Sequence, residues 1–229
     1  MKFNVDKYSV LVFNPSQSSP HASYTLDGNP LQITQETKYL GVIIQSDLKF
    51  TNHIYAKISK AKRQLGMIKR TLFNASEKQK LLAYIGLCLP HVEYAAAVWD
   101  PNLEYITHDL EMAQHDAVRF ISKLKDRDRI TSGLEGLNLE TLAARRGKTR
   151  HSLLLKLLAN EENPNLLINA YEDLMDTRPT NMPTTRAAAR GDPRTILYAK
   201  TSAYHNSFLP RTVRELKANL KLNTVSINQ

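Results

Sequence analysis

The first fifty residues alternate between short apolar stretches and turn signals, a pattern typical of β-structure. The predicted strands cover residues 7–14, 24–26, 31–33 and 38–44. Asp27-Gly28 is the strongest turn signal and predicts a hairpin between the second and third of these strands. Gly41 falls inside the fourth strand, where it would let another backbone or a phosphate group approach closely. We expect this small β region to be antiparallel.

From Thr51 onward the apolar spacing changes from two residues to about 3.6, which predicts helices. The first helix has an apolar stripe formed by Ile54, Ile58, Ala61, Leu65 and Ile68. A capping box of Ser76 and Gln79 opens the second helix. The predicted helices cover residues 51–70, 76–88, 91–98, 103–124 and 139–158, followed by a short helix with Pro210 as its first residue.

The change of period predicts an α+β fold, in which a small antiparallel β region is followed by a mainly helical part. The predicted domains are a β region over 1–50, a helical region over 51–135 and a C-terminal helical region over 136–229. The last contains a stretch rich in arginine and proline at 177–194, which predicts an exposed loop.

The formal net charge of +9 favours a polyanionic partner, nucleic acid first. Residues 51–70 carry six cations and no acidic residue, whereas residues 71–144 have a net charge of −4. The candidate phosphate-binding residues of the first helix are Lys57, Lys60, Lys62, Arg63, Lys69 and Arg70. A solvated cationic face and a helix lying on a membrane are the alternatives.

Other classes of protein find less support. No stretch approaches the ~20 apolar residues of a membrane span, so we expect an intracellular protein, in the nucleus or cytoplasm, without a membrane partner. The single cysteine, Cys88, cannot form an internal disulfide and is expected in the core. His91-Val92-Glu93 imitates the His-x-Glu of zinc deaminases, but the two further thiolates of such a site are missing. We therefore predict no metal site.

Eight stretches, spread over essentially the whole chain, together form a recognisable series. They are MKFNVDKYSVLVF, YTLDGNPLQ, TKYLGVIIQSDLKFTNHI, KAKRQLGMIKR, LPHVEYAAAVWDP, LEMAQHDAVRFI, LAARRGKTRHSLLLKLL and SFLPRTVREL. In this order they resemble the C-terminal part of the reverse transcriptases of LINE-type (non-LTR) retrotransposons of the jockey and CR1-like kind. The resemblance implies the end of the palm, the thumb and the C-terminal helices of an RNA-directed DNA polymerase.

The resemblance also implies roles for individual residues. Lys7, in Asn4-x-x-Lys7, is similar to a family lysine proposed to protonate the departing pyrophosphate, which makes it a candidate general acid. Tyr39-Leu40-Gly41 is similar to the primer grip, a hairpin that holds the 3′ end of the growing strand. The basic helix would be the first thumb helix, and Arg145-Arg146 matches a later helix of the family, so we expect both arginines to bind nucleic acid. The implied partners are RNA, DNA or an RNA–DNA hybrid, and an intact copy of the polymerase.

The chain also departs from the family pattern. The family holds two Mg²⁺ ions with an early Asp and an Asp-Asp turn, and this sequence contains no Asp-Asp pair. In the family, Trp-Asn follows Pro-Arg-Thr, whereas this sequence has Glu215-Leu216-Lys217 there. We therefore expect no cofactor in this chain and no nucleotide transfer by it alone, but residual binding of nucleic acid. A decayed element or gene-model fragment without a biochemical role, and a protein-interaction module, are the alternatives.

Overall fold

A computed structural model describes residues 8–13, 23–124, 129–159 and 207–216. The strands are β1 (Ser9–Leu11), β2 (Thr25–Leu26), β3 (Asn29–Pro30), β4 (Gln32–Thr34), β5 (Glu36–Tyr39) and β6 (Val42–Gln45). The helices are α1 (Thr51–Thr71), α2 (Glu77–Leu87), α3 (Leu89–Glu93), α4 (Ala96–Trp99), α5 (Glu104–Ser122), α6 (Ile130–Gly136), α7 (Leu142–Ala159) and α8 (208–216). The fold is α+β, as predicted. No helix in these ranges is both long and apolar enough to cross a membrane.

The chain divides into two compact units. The first falls within Met1–Ala95 and Pro101–Leu142, and the second within Ala96–Asp100 and Ala143–Gln229. The strands and most of the helices belong to the first unit. The second contains α4, nearly all of α7 and α8. The predicted loop at 177–194 lies outside the described residues.

The strands form three separate pairs, and only two of them are antiparallel. The turn at Asp27-Gly28 joins β2 directly to β3, so the second arm of this hairpin is Asn29–Pro30 and not the predicted 31–33. Residues 32–34 instead form β4, which pairs with β1 in parallel. The expectation of a wholly antiparallel region is therefore wrong, because a two-residue turn starts its return strand at once and leaves the following residues for another partner.

The single strand predicted over 38–44 is also wrong. Leu40 and Gly41 have φ values of 45° and 83° and form the turn of a hairpin, with Tyr39 opposite Val42. A two-residue hairpin loop of this kind needs positive φ at both central positions, which glycine adopts without steric cost. The predicted close approach at Gly41 is made by a side chain: a Cβ added there would lie 3.3 Å from Cε1 of Tyr94.

Helix α1 is the centre of the first unit and packs against α2, α3, α5 and β6. Its predicted apolar stripe is buried, with Ile54 fully inaccessible and Ile68 only 1% exposed. The capping box of Ser76 and Gln79 is present at the start of α2. Cys88 is buried as predicted, and burial raises the pKa of its thiol to about 11. Such a thiol stays protonated and behaves as an apolar core residue.

Two predicted helices have different bounds in the structure. The helix predicted over 91–98 is broken at Tyr94 and Ala95, because Ala95 has a φ of 54°. The two parts, α3 and α4, are one turn long each, and α3 already begins before Pro90. Helix α8 likewise begins at residue 208, so that Pro210 is not its first residue. Proline is tolerated in a first helical turn because the N–H groups there have no intrahelical acceptor.

The described part of the second unit contains a network of ion pairs around a buried carboxylate. Asp100 accepts a hydrogen bond from Nε of Arg146 at 2.6 Å and forms ion pairs with Arg150 and Arg211. Glu215 forms ion pairs with the last two arginines as well. The side chains of Asp100, Arg146 and Arg150 are at most 5% exposed. Charges can be buried to this extent only when they are paired, so each member of the network depends on the others.

Replacing Asp100 by asparagine should therefore destabilise the second unit strongly. The change keeps the size of the side chain but leaves buried guanidinium groups without their shared carboxylate, which costs about 3–5 kcal/mol. Trp99, the single tryptophan of the chain, is 1% exposed and reports on this unit through its fluorescence during urea unfolding. The control is Lys156→Gln, which removes a charge at an exposed position of α7 in the same unit, with an expected change within about 0.5 kcal/mol. Equal stability of the two variants would contradict a structural role for the network.

Candidate nucleic-acid interface

The six cations predicted in α1 do not form one surface. At about 100° of rotation per residue, Lys57 and Lys60 lie to one side of the buried stripe and Lys62 and Lys69 to the other. Lys57 places Nζ 5.1 Å from the ring centroid of Tyr94, which follows α3, whereas Lys69 lies 6.0 Å from a phenylalanine ring of α5. The remaining two, Arg63 and Arg70, are exposed on the face opposite the core.

The β5–β6 hairpin is held against the first turn of α1 by three hydrogen bonds. The backbone N–H of Ile43 donates to Nδ1 of His53 at 3.1 Å. Asn52 donates twice: its side-chain amide to Glu36 at 2.6 Å and its backbone N–H to Gln45 at 2.9 Å. The bonds reach both strands of the hairpin, so its position relative to α1 is fixed.

The tip of this hairpin carries exposed apolar surface. Tyr39 is 62% and Leu40 74% exposed. The hydroxyl of Tyr94 donates to the backbone carbonyl of Leu40 at 2.8 Å and so supports the turn. Leucine is poorly suited to this turn, because a positive φ brings its Cβ against the backbone and because glycine or asparagine is usual there. Neither its backbone conformation nor its burial explains why leucine occupies this position.

Three lysines, Lys38 of β5 with Lys57 and Lys60 of α1, form a positive patch beside the hairpin; we refer to them as the lysine cluster. Burial, followed by the charges of Lys60 and Lys38, lowers the pKa of Lys57. Burial, followed by the charges of Lys60 and Lys57, lowers the pKa of His91 in α3. Because these cations repel one another, an anion bound among them would be stabilised by all of them at once.

Two members of this surface could not be selected from the sequence. Lys38 is a single cation in a strand, and its proximity to α1 depends on the hydrogen bonds of the hairpin. Tyr94 is a landmark of the family resemblance, but nothing in its sequence position indicates that its hydroxyl supports the turn at Leu40 and that its ring lies beneath Lys57.

The arginines predicted in the later helix differ from the α1 cations. Arg146 is 2% exposed, and its guanidinium is engaged with Asp100 inside the second unit. It is therefore not available to a phosphate group, and the prediction that it binds nucleic acid is corrected. Arg145 is partly exposed in the same helix, whereas Lys7 lies outside the described residues.

The side chains of the candidate interface are ammonium groups, tyrosine rings and one exposed leucine. In nucleic-acid-binding proteins, side chains of these kinds contact phosphates, sugars and bases. Among the residues that the structure describes, no three His, Cys, Asp or Glu side chains come together in a set that could hold a metal ion.

Comparisons of the chain with models of protein families, with curated proteins and with solved structures find no match. The family resemblance thus rests on the eight sequence stretches alone.

The contact between His53 and the hairpin predicts a pH-dependent stability. Burial and the charge of Lys57 lower the pKa of His53 to about 4, and its Nδ1 must stay unprotonated to accept the Ile43 N–H. Below the ordinary pKa of about 6.5 the unfolded chain binds a proton that the folded chain excludes. The stabilisation is therefore complete above pH 6.5 and is lost progressively as the pH falls toward 4.

His53→Gln should remove this dependence, because the glutamine carbonyl can accept the same hydrogen bond without titrating. Between pH 7.5 and pH 5 the wild type should lose about 2 kcal/mol more unfolding free energy than this variant, as measured by urea titration. His108→Gln, at an exposed histidine of α5, is the control and should follow the wild type. Parallel pH profiles for all three proteins would show that His53 is not the responsible group.

Proposed function

We propose that this chain is the duplex-holding, C-terminal part of a non-LTR reverse transcriptase, and that it binds a primer–template duplex through the lysine cluster, the outer face of α1 and the β5–β6 tip. One observation carries the proposal: a hairpin with Tyr-Leu-Gly at its tip is hydrogen-bonded to the first turn of the helix that carries the cations. In this proposal β5–β6 is the primer grip and α1 the first thumb helix.

The spacing of the cations along α1 suits the backbone of a duplex. Lys57, Lys60, Arg63 and Arg70 span thirteen residues, which is about 20 Å along the helix axis. Since base pairs of a duplex are about 3.4 Å apart along its axis, this length corresponds to about six base pairs. The contacts would be made to phosphates, so we expect binding that depends on salt and little on base sequence.

The hairpin tip would add stacking and apolar contacts to the ionic contacts that the cations make. Tyr39 offers an exposed ring on which a terminal base or sugar can stack. Leu40 combines an unfavourable backbone conformation with high exposure, and such strain is retained where an outside contact needs the residue. Both side chains would then lie at the end of the bound strand, and the cations along its length.

The chain would hold the duplex without joining nucleotides. In the family, Mg²⁺ ions bound by palm carboxylates activate the 3′ hydroxyl, and this sequence has no Asp-Asp pair to bind them. The candidate general acid Lys7 would act only beside such a palm. An intact copy of the polymerase is therefore the protein partner that the proposal implies.

Changing Lys57, Lys60 and Arg63 together to alanine should weaken duplex binding and reduce its salt dependence. Each lost phosphate contact lowers the slope of log affinity against log salt concentration by about 0.9, so three lost contacts lower it by about 2–3. The measurement is fluorescence anisotropy of a labelled RNA–DNA hybrid, titrated at several salt concentrations.

The matched control changes three cations outside the proposed surface, Lys49, Lys62 and Lys78, to alanine. It alters the net charge equally, so long-range attraction changes equally in both variants. The proposal requires a clearly smaller change of slope in the control. Equal slopes in the two variants would refute the specific surface, and the absence of binding by the wild type would favour a decayed chain or a protein-interaction module.

Leu40→Asn should separate stability from binding. Asparagine tolerates positive φ better than leucine, so the unfolding free energy should rise by about 0.5–1 kcal/mol. Duplex affinity should nevertheless fall several-fold, because the apolar contact at the tip is lost. Leu48→Asn is a matched control, since Leu48 has a φ of 56° and is 45% exposed but lies outside the tip. A Leu40 variant that is more stable and binds unchanged would exclude the tip from the interface.

A further inference from the structure

A concave site, separate from the lysine cluster, lies in the first unit where the end of α1, the start of α2 and the end of α5 meet. Its volume is about 430 Å³, within the range of pockets that hold small molecules. We refer to it as the Phe120 pocket; it is lined by Phe73, Asn74, Lys80, Arg119, Phe120, Lys123 and Leu124. Aromatic and cationic side chains therefore share one cavity.

Lys80 is the unusual residue of this pocket. It is only 2% exposed, and its Nζ lies 4.7 Å from the ring centroid of Phe120. No carboxylate among the described residues lies within ion-pair distance of it. A buried ammonium group normally has an anionic partner, and the face of one aromatic ring replaces such a partner only in part. Lys80 can therefore attract an anionic ligand to this pocket.

Arg119 is incompletely satisfied in the same pocket. One terminal nitrogen of its guanidinium donates to Asp116 at 2.8 Å, whereas its Nε is buried and has no hydrogen-bond partner. Lys69, 6.0 Å from the same phenylalanine ring, and exposed Lys123 add positive charge nearby. Asp116 pairs with Arg119, and no ion pair between it and Lys80 is formed.

We propose that the Phe120 pocket binds a nucleotide unit, that is, a phosphate monoester joined to a planar aromatic base. The phosphate would accept hydrogen bonds from the ammonium group of Lys80 and from the terminal nitrogen of the Arg119 guanidinium that does not bond Asp116. The base would lie against Phe73, whose ring is 71% exposed at the mouth of the pocket. An inorganic anion would contact only the cations, and an uncharged nucleoside would contact only the ring.

This inference goes beyond the duplex-binding proposal and does not rest on it. The Phe120 pocket lies beside the C-terminal end of α1 and faces α5, whereas the lysine cluster lies near the N-terminal end and faces α3. Lys57 and Lys69 are twelve residues apart, which is about 18 Å along the helix axis. Two ligands, or two parts of one nucleic acid, can therefore bind independently.

The first experiment compares three probes on the full chain by isothermal titration calorimetry. Adenosine 5′-monophosphate should bind at least about tenfold more tightly than either adenosine or inorganic phosphate, because only the nucleotide engages both the cations and the ring. Equal affinities for nucleotide and phosphate would overturn the proposal by reducing the site to a general anion site. So would a complete lack of nucleotide binding.

Variants then assign the binding to this pocket. Lys80→Met keeps the length of the side chain but removes its charge, so it should weaken nucleotide binding at least about tenfold. Lys78→Met, an exposed position of the same helix, should leave the affinity within about twofold. If Lys80→Met does not fold, Lys123→Ala and Phe120→Leu are used instead. Unchanged nucleotide affinity in both of these variants would contradict the assignment to this pocket.

Two further measurements are made. The first asks whether the pocket binds a free nucleotide or the end of a nucleic acid, and the second separates this proposal from the duplex-binding proposal. A tetranucleotide with a 5′ phosphate should compete with adenosine 5′-monophosphate if the pocket receives a nucleic-acid end, whereas failure to compete restricts the pocket to free nucleotides. The Lys57, Lys60 and Arg63 triple variant should keep wild-type affinity for the mononucleotide. A parallel loss there would show that the nucleotide binds at the lysine cluster and not in the Phe120 pocket.

Discussion

The burial of one face of α1 is the interaction on which the rest of the first unit depends. Its stripe, from Ile54 to Ile68, packs against α2, α3, α5 and β6, and the apolar area removed from water supplies the driving force. The same burial orients the cations of the helix, because residues off the stripe must lie on its flanks or outer face. A hydrophobic requirement thereby sets the geometry of a charged surface.

The protein meets the cost of buried charge in two different ways. In the second unit, the buried Asp100 contacts three arginines, and Glu215 pairs with two of the same arginines. In the first unit, Lys80 is buried over an aromatic ring instead. The arginine–carboxylate network holds its members in contact with one another, so its role is structural. Lys80 instead lies over the ring of Phe120, and no carboxylate among the described residues pairs with it, which is the basis of the nucleotide proposal.

Much of the helical part could be predicted from the sequence, because helices follow from local periodicity and capping. The stripe of α1 and the capping box at Ser76 were predicted correctly for this reason. The β region was predicted less well: β4 pairs with β1 in parallel, and the strand over 38–44 is a hairpin. Pairing partners are separated in sequence, and a glycine inside an apolar run has the same appearance in a strand and in a tight turn.

The sequence by itself determined the composition of the candidate site: a basic helix, a Tyr-Leu-Gly stretch before it and a later pair of arginines. Only the tertiary structure decided which of these side chains can act together. It divides the α1 cations between two flanks and the outer face of the helix, adds Lys38 and Tyr94 to one flank, and places Arg146 in a buried ion pair. The physical reason is that the type of a side chain is local, whereas its exposure and its charged neighbours depend on residues distant in the chain.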